Sequence, residues 1–597
     1  MKKISISLAC MALPVLMSAA EYYVVPGLKA SGKDGSSWEN ALTMYDIFAN
    51  DAATKKKESE SIYKHGDVFY LAGGTYINSL LGGKTGGDDV RICHGYTFVG
   101  GCDPTKGPVT EWPTYPSATP TIFSGDLNEN GIADEGDMCN LVCVRSGSTD
   151  GMDISHPENP EPATTFIGVD FTNSYSPAGT KDEAGAVHCT QGRIALKYCN
   201  IYGNVSDGDG SGDGVAAGIG IRGGRYEISD CNIYGNKGRQ TGAGLRVTSR
   251  SASISRGVVE RCYFGENEIS GRYGAAIAYT SGDSQWLVNS TIVGNKAKYE
   301  GAGIAINGSN FSGTNGSGNT DERSVHIVNC TIAGNICTAD PADLYKEDTN
   351  PGSWFGSQIR ISADPAVEIC NSIIVGAEDD GTIAKAAIML LDEVSSDNAY
   401  LNSYGGSILG TFATTAEPKI SINWLADNMD EDAPYTYATV FGDAVPAFNG
   451  GFTKTLIPRS EFLDEIGSYP LYGFEINDFV TGLVSAGHNL PFEISVDVDQ
   501  NGTKRDFSDE GETAPGAYDY LAYENAGVES AVAAKNGLVA AGAYTWKTAD
   551  GSVADFTVYS VTGAVVKTAK ASSVNIADLA AGVYVVTDGT STVKAIR

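Results

Sequence analysis

Cys199-Asn200-Ile201-Tyr202-Gly203-Asn204 returns as Cys231-Asn232-Ile233-Tyr234-Gly235-Asn236, Cys262-Tyr263-Phe264-Gly265-Glu266-Asn267, Ser290-Thr291-Ile292-Val293-Gly294-Asn295 and Cys330-Thr331-Ile332-Ala333-Gly334-Asn335. Between these phrases runs a second one, rich in small residues and ending in alternating apolar positions: Ala216 to Ile221, Gly242 to Val247, Gly274 to Tyr279 and Gly301 to Ile306. Self-similarity at a period of roughly 30 residues marks stacked supersecondary units. Within them side chains alternate with period two, Cys330 and Ile332 on one side and Thr331 and Ala333 on the other. Gly, Asn, Asp and Ser separate about three short strands per unit, with no helical periodicity between them. Strands recurring at the same place in successive units stack in parallel, about 4.8 Å apart. The pattern predicts an all-β chain: a right-handed parallel β-helix solenoid followed by a small C-terminal β-sandwich.

Gly and Asn suit the corners, because both tolerate the left-handed backbone region that a sharp bend needs. Asn204, Asn236, Asn267, Asn295 and Asn335 are predicted to form one column whose amides bond from coil to coil. Cys199, Cys231, Cys262 and Cys330, with Ser290 in one place, are predicted to form another inside the helix, as reduced packing residues.

The ends suggest where the protein works. Lys2 and Lys3, the apolar run Ile4 to Met17 and the small residues Ser18-Ala19-Ala20 read as a secretory signal peptide over 1–20. Residues 21–525 are expected to form the β-helix, with an N-terminal cap and opening strand over 21–76 and a short helix near Ala41 to Lys57. Residues 526–597 read as a linker and hairpin-linked alternating strands, among them Asp555 to Lys567, Val574 to Val586 and Val593 to Arg597. Beyond the signal segment no stretch reaches the roughly 18 apolar residues of a membrane span. With 73 acidic against 41 basic side chains, a net charge of −32, a nucleic-acid partner is excluded.

Ile201 to Asn204, Ile233 to Asn236, Phe264 to Asn267, Ile292 to Asn295 and Ile332 to Asn335 resemble the FxxN element of polymorphic outer-membrane-protein repeats. Gly242-Ala243-Gly244-Leu245 and Gly301-Ala302-Gly303-Ile304 resemble the GGAI element of the same repeats. Tyr22 to Pro26, Asp34 to Trp38 and Gly66 to Tyr76 are similar to the opening of bacterial secreted β-helices, and Asp497 to Gly502 with Pro515 to Tyr520 to their close. The C-terminal strands resemble the sorting domain of the type IX secretion system. That resemblance implies a tail read by outer-membrane secretion machinery, and a protein left secreted or on the external face of the outer membrane. The alternative to that resemblance is an ordinary accessory sandwich domain.

The sharpest local chemistry runs from Asp126 to Asp137. Asp126, Asn128, Asn130, Asp134 and Asp137 place oxygens at loop positions 1, 3, 5, 9 and 12, Gly131 sits at position 6, and Ile132 offers its carbonyl from position 7. This is the spacing of an EF-hand-type Ca2+ loop, expected as a structural clip. Asp in place of Glu at position 12, and a strand-like continuation from Met138 to Val144, depart from that pattern. Asp497 to Gly502 begins similarly but meets Arg505 and Ser508, and Asp207, Asp209 and Asp213 read as hydrated.

Catalysis is tested against residues. Hydrolysis of a glycan needs converging carboxylates, whereas Asn319-Thr320-Asp321, Asp379-Asp380, Gly487-His488 and Arg360-Ile361 have neither the order nor the spacing of polygalacturonase-like enzymes. Arg222, Arg225 and Arg246 read as scattered rim charges, and the six histidines as isolated side chains. The six tryptophans are read by default as aromatic core rather than sugar platforms. The expected function is therefore non-catalytic, an adhesin-like binding of polysaccharide or host-surface glycans through loops on a rigid stack, with Asn307 to Glu322 and Ile336 to Trp354 as contact points. The rival is a polysaccharide lyase or glycoside hydrolase.

Overall fold

The computed structural model describes residues 19–54, 61–77, 91–145, 163–180, 185–208, 216–249, 255–271, 274–282, 284–307, 324–339, 356–362, 366–377, 386–391, 400–403, 406–414, 421–424, 435–459, 462, 471–472, 496–505, 512–520, 538–540, 545–548, 552–560, 564–576, 579, 583–588 and 592–596. Most of the expected signal segment, nearly all of the two expected contact loops, and Asp209, Asp213, Asp321, Asp379, Asp380 and His488 lie outside them. The chain divides into two units, Met1–Tyr518 and Asp519–Arg597.

The first unit is a parallel β-helix. One coil runs Arg225–Ser229, Asn232–Tyr234, Lys237–Gly238 and Leu245–Thr248, and each strand pairs in parallel with its counterpart one coil later. Repetition builds a first sheet of twelve strands, second and third sheets of ten each, and a fourth of six short strands. Inward columns fill the bore: Leu196, Ile228, Val259, Leu287, Ile327 and Ile369 from the first sheet meet Ile201, Ile233, Phe264, Ile292 and Ile332 from the second and Leu245, Ile277, Ile304 and Ile359 from the third. Alternation puts the other side chains outside, so a one-residue register slip would exchange the two sets along a whole coil. The helix Met44–Thr54 lies within the expected 41–57 and buries Ile47 and Phe48 in the same core. Among the described residues no helix is long and apolar enough to cross a membrane.

The asparagine column is continuous. Nδ2 of Asn204 donates to Oδ1 of Asn236 (2.9 Å), Asn236 to Asn267 (3.0 Å), Asn267 to Asn295 (2.9 Å), Asn295 to Asn335 (2.8 Å), and Asn335 to Oε1 of Gln358 (2.7 Å). Each of these oxygens also accepts the donor residue's own backbone N–H, so fully buried amides have their hydrogen bonds met inside the wall. Cys199, Cys231, Cys262 and Cys330 are free and buried, and their place has a second cause besides packing. Sγ of Cys231, Cys262 and Cys330 lies 3.2 Å from the carbonyl two residues back, as Oγ of Ser290 does at 2.7 Å. A small donor satisfies that corner, which is why Ser interchanges with Cys there.

The residue just before this column is left-handed in every coil. Tyr198, Asp230, Arg261, Asn289, Asn329 and Asn371 have φ between 47 and 53°. Gly and Asn were expected at such bends, yet Asn204, Asn236, Asn267, Asn295 and Asn335 are not left-handed, and Tyr198, Asp230 and Arg261 occupy left-handed corners with tertiary partners, Tyr198 stacked on Tyr115 and Asp230 bonded to Arg261. Described parts of a closing segment, 453–459, 496–505 and 512–517, bond along this edge. Thr453 Oγ1 donates to the Arg261 carbonyl, Gln500 accepts from Thr291 Oγ1 (2.6 Å) and donates to the Cys262 carbonyl (3.2 Å), and Gly516 N–H donates to the Asn371 carbonyl. Buried Arg505 braces it by donating to the carbonyls of Ala514 and Gly516. Asp499 and Asn501, whose motif resembled a second cation loop, are spent on this strap: Asp499 accepts the backbone N–H of Asn501 and Thr503.

The second unit is antiparallel. Leu538–Ala540, Thr545–Thr548 and Ser573–Asn575 form one sheet, and Val565–Ala571, Ala554–Ser560, Val583–Thr587 and Thr592–Ile596 another. Phe556, Val558, Val574, Ile576, Tyr584 and Val586 make their shared core, with Trp546 against it, which gives a small β-sandwich.

Candidate functional site

The outer surface of the second sheet carries the described cleft with the most chemistry. On this face Tyr202 stacks on Tyr234 with ring centroids 5.2 Å apart, and the next coil supplies Tyr263. The Lys454 ammonium stands 5.8 Å from the Tyr234 ring, 5.3 Å from Tyr263 and 5.9 Å from Phe448, within cation–π range. Beyond Tyr263 opens a cleft of about 270 Å³ lined by Tyr263, Glu266, Val293, Gly294, Gly334, Ala377, Tyr437 and Pro446. That is just under the roughly 300–1,000 Å³ of small-molecule sites.

Glycines make the space. A Cβ on Gly265 would stand 1.9 Å from the Tyr263 hydroxyl, so the ring lies flat across a residue that has no side chain. A Cβ on Gly334 would meet Tyr437 at 2.7 Å. Gly203, Gly235, Gly294 and Gly334 all sit left-handed in the recurring phrase, with φ from 62 to 69°. The coil of Tyr263 puts Glu266 at that place instead, with φ 57° and its side chain exposed at the cleft. A glutamate held left-handed costs roughly 1 kcal/mol, and such outliers gather at functional positions. Burial, with Glu266 nearby, pushes the Tyr263 phenol up, and burial does the same to Tyr437. Both rings therefore stay neutral hydroxyl donors across the physiological range. Glu266 is the one carboxylate lining this cleft among the described residues, whereas glycoside hydrolysis takes a pair.

The sequence-selected loop closes on itself. Asp126 Oδ1 and Oδ2 accept the N–H of Asn130 (3.1 Å) and Gly131 (2.7 Å); Asn128 Oδ1 accepts from Asn130 N–H (3.0 Å), and Asn130 Oδ1 from Ile132 N–H (2.9 Å). Asp137 accepts from Leu127 (2.9 Å) and Asp134 (3.0 Å), and the Asn128 and Asn130 amides donate to the two Asp134 oxygens at 2.8 and 2.6 Å. All six chosen residues thus meet in one turn, with Gly131 left-handed at φ 83°. Among the described residues no three His, Cys, Asp or Glu side chains are grouped to hold a metal by themselves. A cation here would be held by the Asp126, Asp134 and Asp137 carboxylates with the Asn128 and Asn130 amide oxygens and the Ile132 carbonyl, after the two amides turn away from Asp134.

Other sequence candidates find structural places. Arg360 pairs with Glu300, both buried, and Asp207 accepts from the Tyr175 hydroxyl (2.8 Å). Trp286 is fully buried on His326 (centroids 4.1 Å), whose Nδ1 lies 2.5 Å from Glu368, and only Trp112 among the described tryptophan side chains is largely exposed. The histidines are not all isolated, since His65 and His94 meet edge to face at 5.1 Å. Nor are Arg225 and Arg246 rim charges; both are buried.

Comparison with known proteins returned no match, whether to a family model, to a curated protein or to a solved structure.

Proposed function

We propose that this chain is an exported surface protein that binds extracellular glycan, with the tyrosine face and cleft of its second sheet as the contact. The observation that carries this reading is Glu266, placed left-handed at the cleft where four sister coils keep glycine. Tyrosine rings offer flat apolar surface with a hydroxyl at the edge, a combination suited to sugar faces and their hydroxyl rims. Glu266 supplies an acceptor for those hydroxyls. Stacked coils repeat the contact, so weak single sites add along a chain. The signal segment, the likeness to outer-membrane-protein repeats and the likeness of the C-terminal unit to a type IX sorting domain support an address at the outer face of the cell. The loop 126–137 belongs to the same proposal as a calcium clip on an early coil.

A glycan array followed by calorimetry on the best ligand tests the reading. Glu266→Gly and Tyr437→Ala are expected to weaken binding at least tenfold, while Glu266→Gly changes stability by less than about 1 kcal/mol because strain relief offsets chain entropy. Full binding by both variants overturns the site. Release of reducing ends or unsaturated products by the native protein overturns the non-catalytic assignment.

A further inference from the structure

Away from that cleft, where the third sheet turns into the first, three arginines begin three consecutive strands. Arg193 pairs in register with Arg225, and Arg225 with Arg256. Neighbouring strands lie about 4.8 Å apart, so three like charges are stacked at strand spacing in a protein whose net charge is −32. Tyr226 points into the core, which puts Arg225 and Glu227 on the outer face. Arg225 is nevertheless 6 % exposed and Arg256 7 %.

Among the described residues no carboxylate pairs with the central member. Glu227, two residues along the same strand, is held by Lys197 Nζ at 2.8 Å, and Glu260 on the next strand by Arg261 Nη1 at 2.8 Å. Nε and Nη2 of Arg225 are buried with no hydrogen-bond partner. Burial, then the charges of Arg193 and Arg256, bring the Arg225 pKa down to about 10. A buried unpaired guanidinium costs several kcal/mol, roughly, unless an anion completes it. The backbone beside it is cleared as well: Gly224 packs so closely that a Cβ there would lie 2.6 Å from the Gly192 carbonyl, and Gly223 N–H is tied to Ser255 Oγ at 2.9 Å. The corner is therefore fixed, and the guanidinium forks project from a rigid edge.

We propose that Arg193, Arg225 and Arg256 form an oxyanion-binding ladder whose ligand is a sulfate, phosphate or carboxylate group, gripped by the paired N–H donors of Arg225. Guanidinium matches such groups two bonds at a time. The group arrives either as a free inorganic ion or carried on an acidic sugar. This site shares no residue with the glycan cleft and stands whether or not that cleft binds.

The test uses the full chain at constant ionic strength, titrated by calorimetry with sodium sulfate and, separately, with a uronic-acid oligosaccharide, against native protein, Arg225→Met and Arg193→Met. Saturable binding of either ligand by the native chain, weakened at least tenfold in Arg225→Met and several-fold in Arg193→Met, supports the ladder. Sulfate binding identifies a free oxyanion, and oligosaccharide binding alone identifies the acidic sugar. Arg225→Met is also expected to melt higher than native protein in anion-free buffer and to lose the rise in Tm that sulfate gives. Should that variant fail to fold, Arg193→Met carries the comparison. Absence of saturable binding to both ligands, or binding unchanged in the arginine variants, overturns the proposal, and Glu266→Gly leaves it untouched.

Discussion

Arg261 and Asp230 occupy the same left-handed corner on consecutive coils and are joined by two parallel bonds, Nε to Oδ1 and Nη2 to Oδ2, each 2.8 Å. Arg261 also reaches Glu260 through Nη1 at 2.8 Å. Burial pulls the arginine's pKa down, but the Asp230 bonds and both carboxylate charges outweigh it and push the pKa up. The pair thus holds two strained residues where glycine or asparagine would be the ordinary choice. Asp230→Ala is expected to cost about 2–3 kcal/mol, from the charged hydrogen bonds lost. Asp230→Gly should cost less by about 1 kcal/mol, because glycine adopts the positive φ freely. Denaturant unfolding followed by circular dichroism gives both numbers, and equal losses would remove backbone strain from the account.

The asparagine column predicts an asymmetry. Asn267→Ala strands the buried Asn236 N–H, leaves the Asn236 amide with only its bond to the Ile201 carbonyl, and takes the Asn267 amide from the Ile233 carbonyl and from Asn295 Oδ1, which keeps the backbone N–H of residue 267. The expected cost is about 3–5 kcal/mol. Ser290→Cys, in the neighbouring column, keeps a small donor and should stay within about 1 kcal/mol of native. Unfolding midpoints of the two variants check this.

Asp170 supplies a pH test. Burial raises its pKa, and the bonds from Asn200 only partly oppose that. Its folded pKa lies above the unfolded one, so the folded state binds its proton more tightly. The ionised group is a deficit above the folded pKa; stability is regained as pH falls through that value and the gain is complete below the unfolded carboxylate range. Asp170→Asn keeps an acceptor for Asn200 and extends the amide ladder Asp170, Asn200 and Asn232. It should raise Tm at pH 7, with the advantage shrinking to nothing as pH drops past the carboxylate range. Melting curves across pH measure it.

For the loop at 126–137, calcium is expected to raise Tm by a few degrees over chelator-treated protein, and Asp126→Asn with Asp134→Asn to abolish that rise. Magnesium, smaller and less willing to lose its water, should not substitute. A native chain indifferent to calcium at millimolar concentration removes the clip.

Much of the fold was legible because each coil restates the same phrase. The Asn and Cys columns follow from aligning Asn204 with Asn236 and Cys199 with Cys231. What repetition does not encode is contact between distant segments. Tyr437, at the start of the short helix Tyr437–Phe441, and Pro446 just beyond it reach the cleft although both lie far from Tyr263 in sequence. His65 and His94, and Arg193, Arg225 and Arg256, look scattered until consecutive coils superpose them. Glu266 was readable in principle, as glutamate where four aligned phrases have glycine, but its meaning needed the positive φ and the neighbouring rings.

The bonds that Thr453, Val496, Gln500 and Gly516 make with much earlier coils have a consequence for the order in which the molecule is completed. Gln500 reaches Thr291 and Cys262, residues 209 and 238 positions earlier. Coils laid down from the N-terminus can accrete one upon another, yet their seam stays unlatched until the last part of the unit arrives. A ribosome stall or a stop codon before residue 496 would leave a zipper without its slider, with Asn329 and Asn371 robbed of their carbonyl acceptors at Val496 and Ala514.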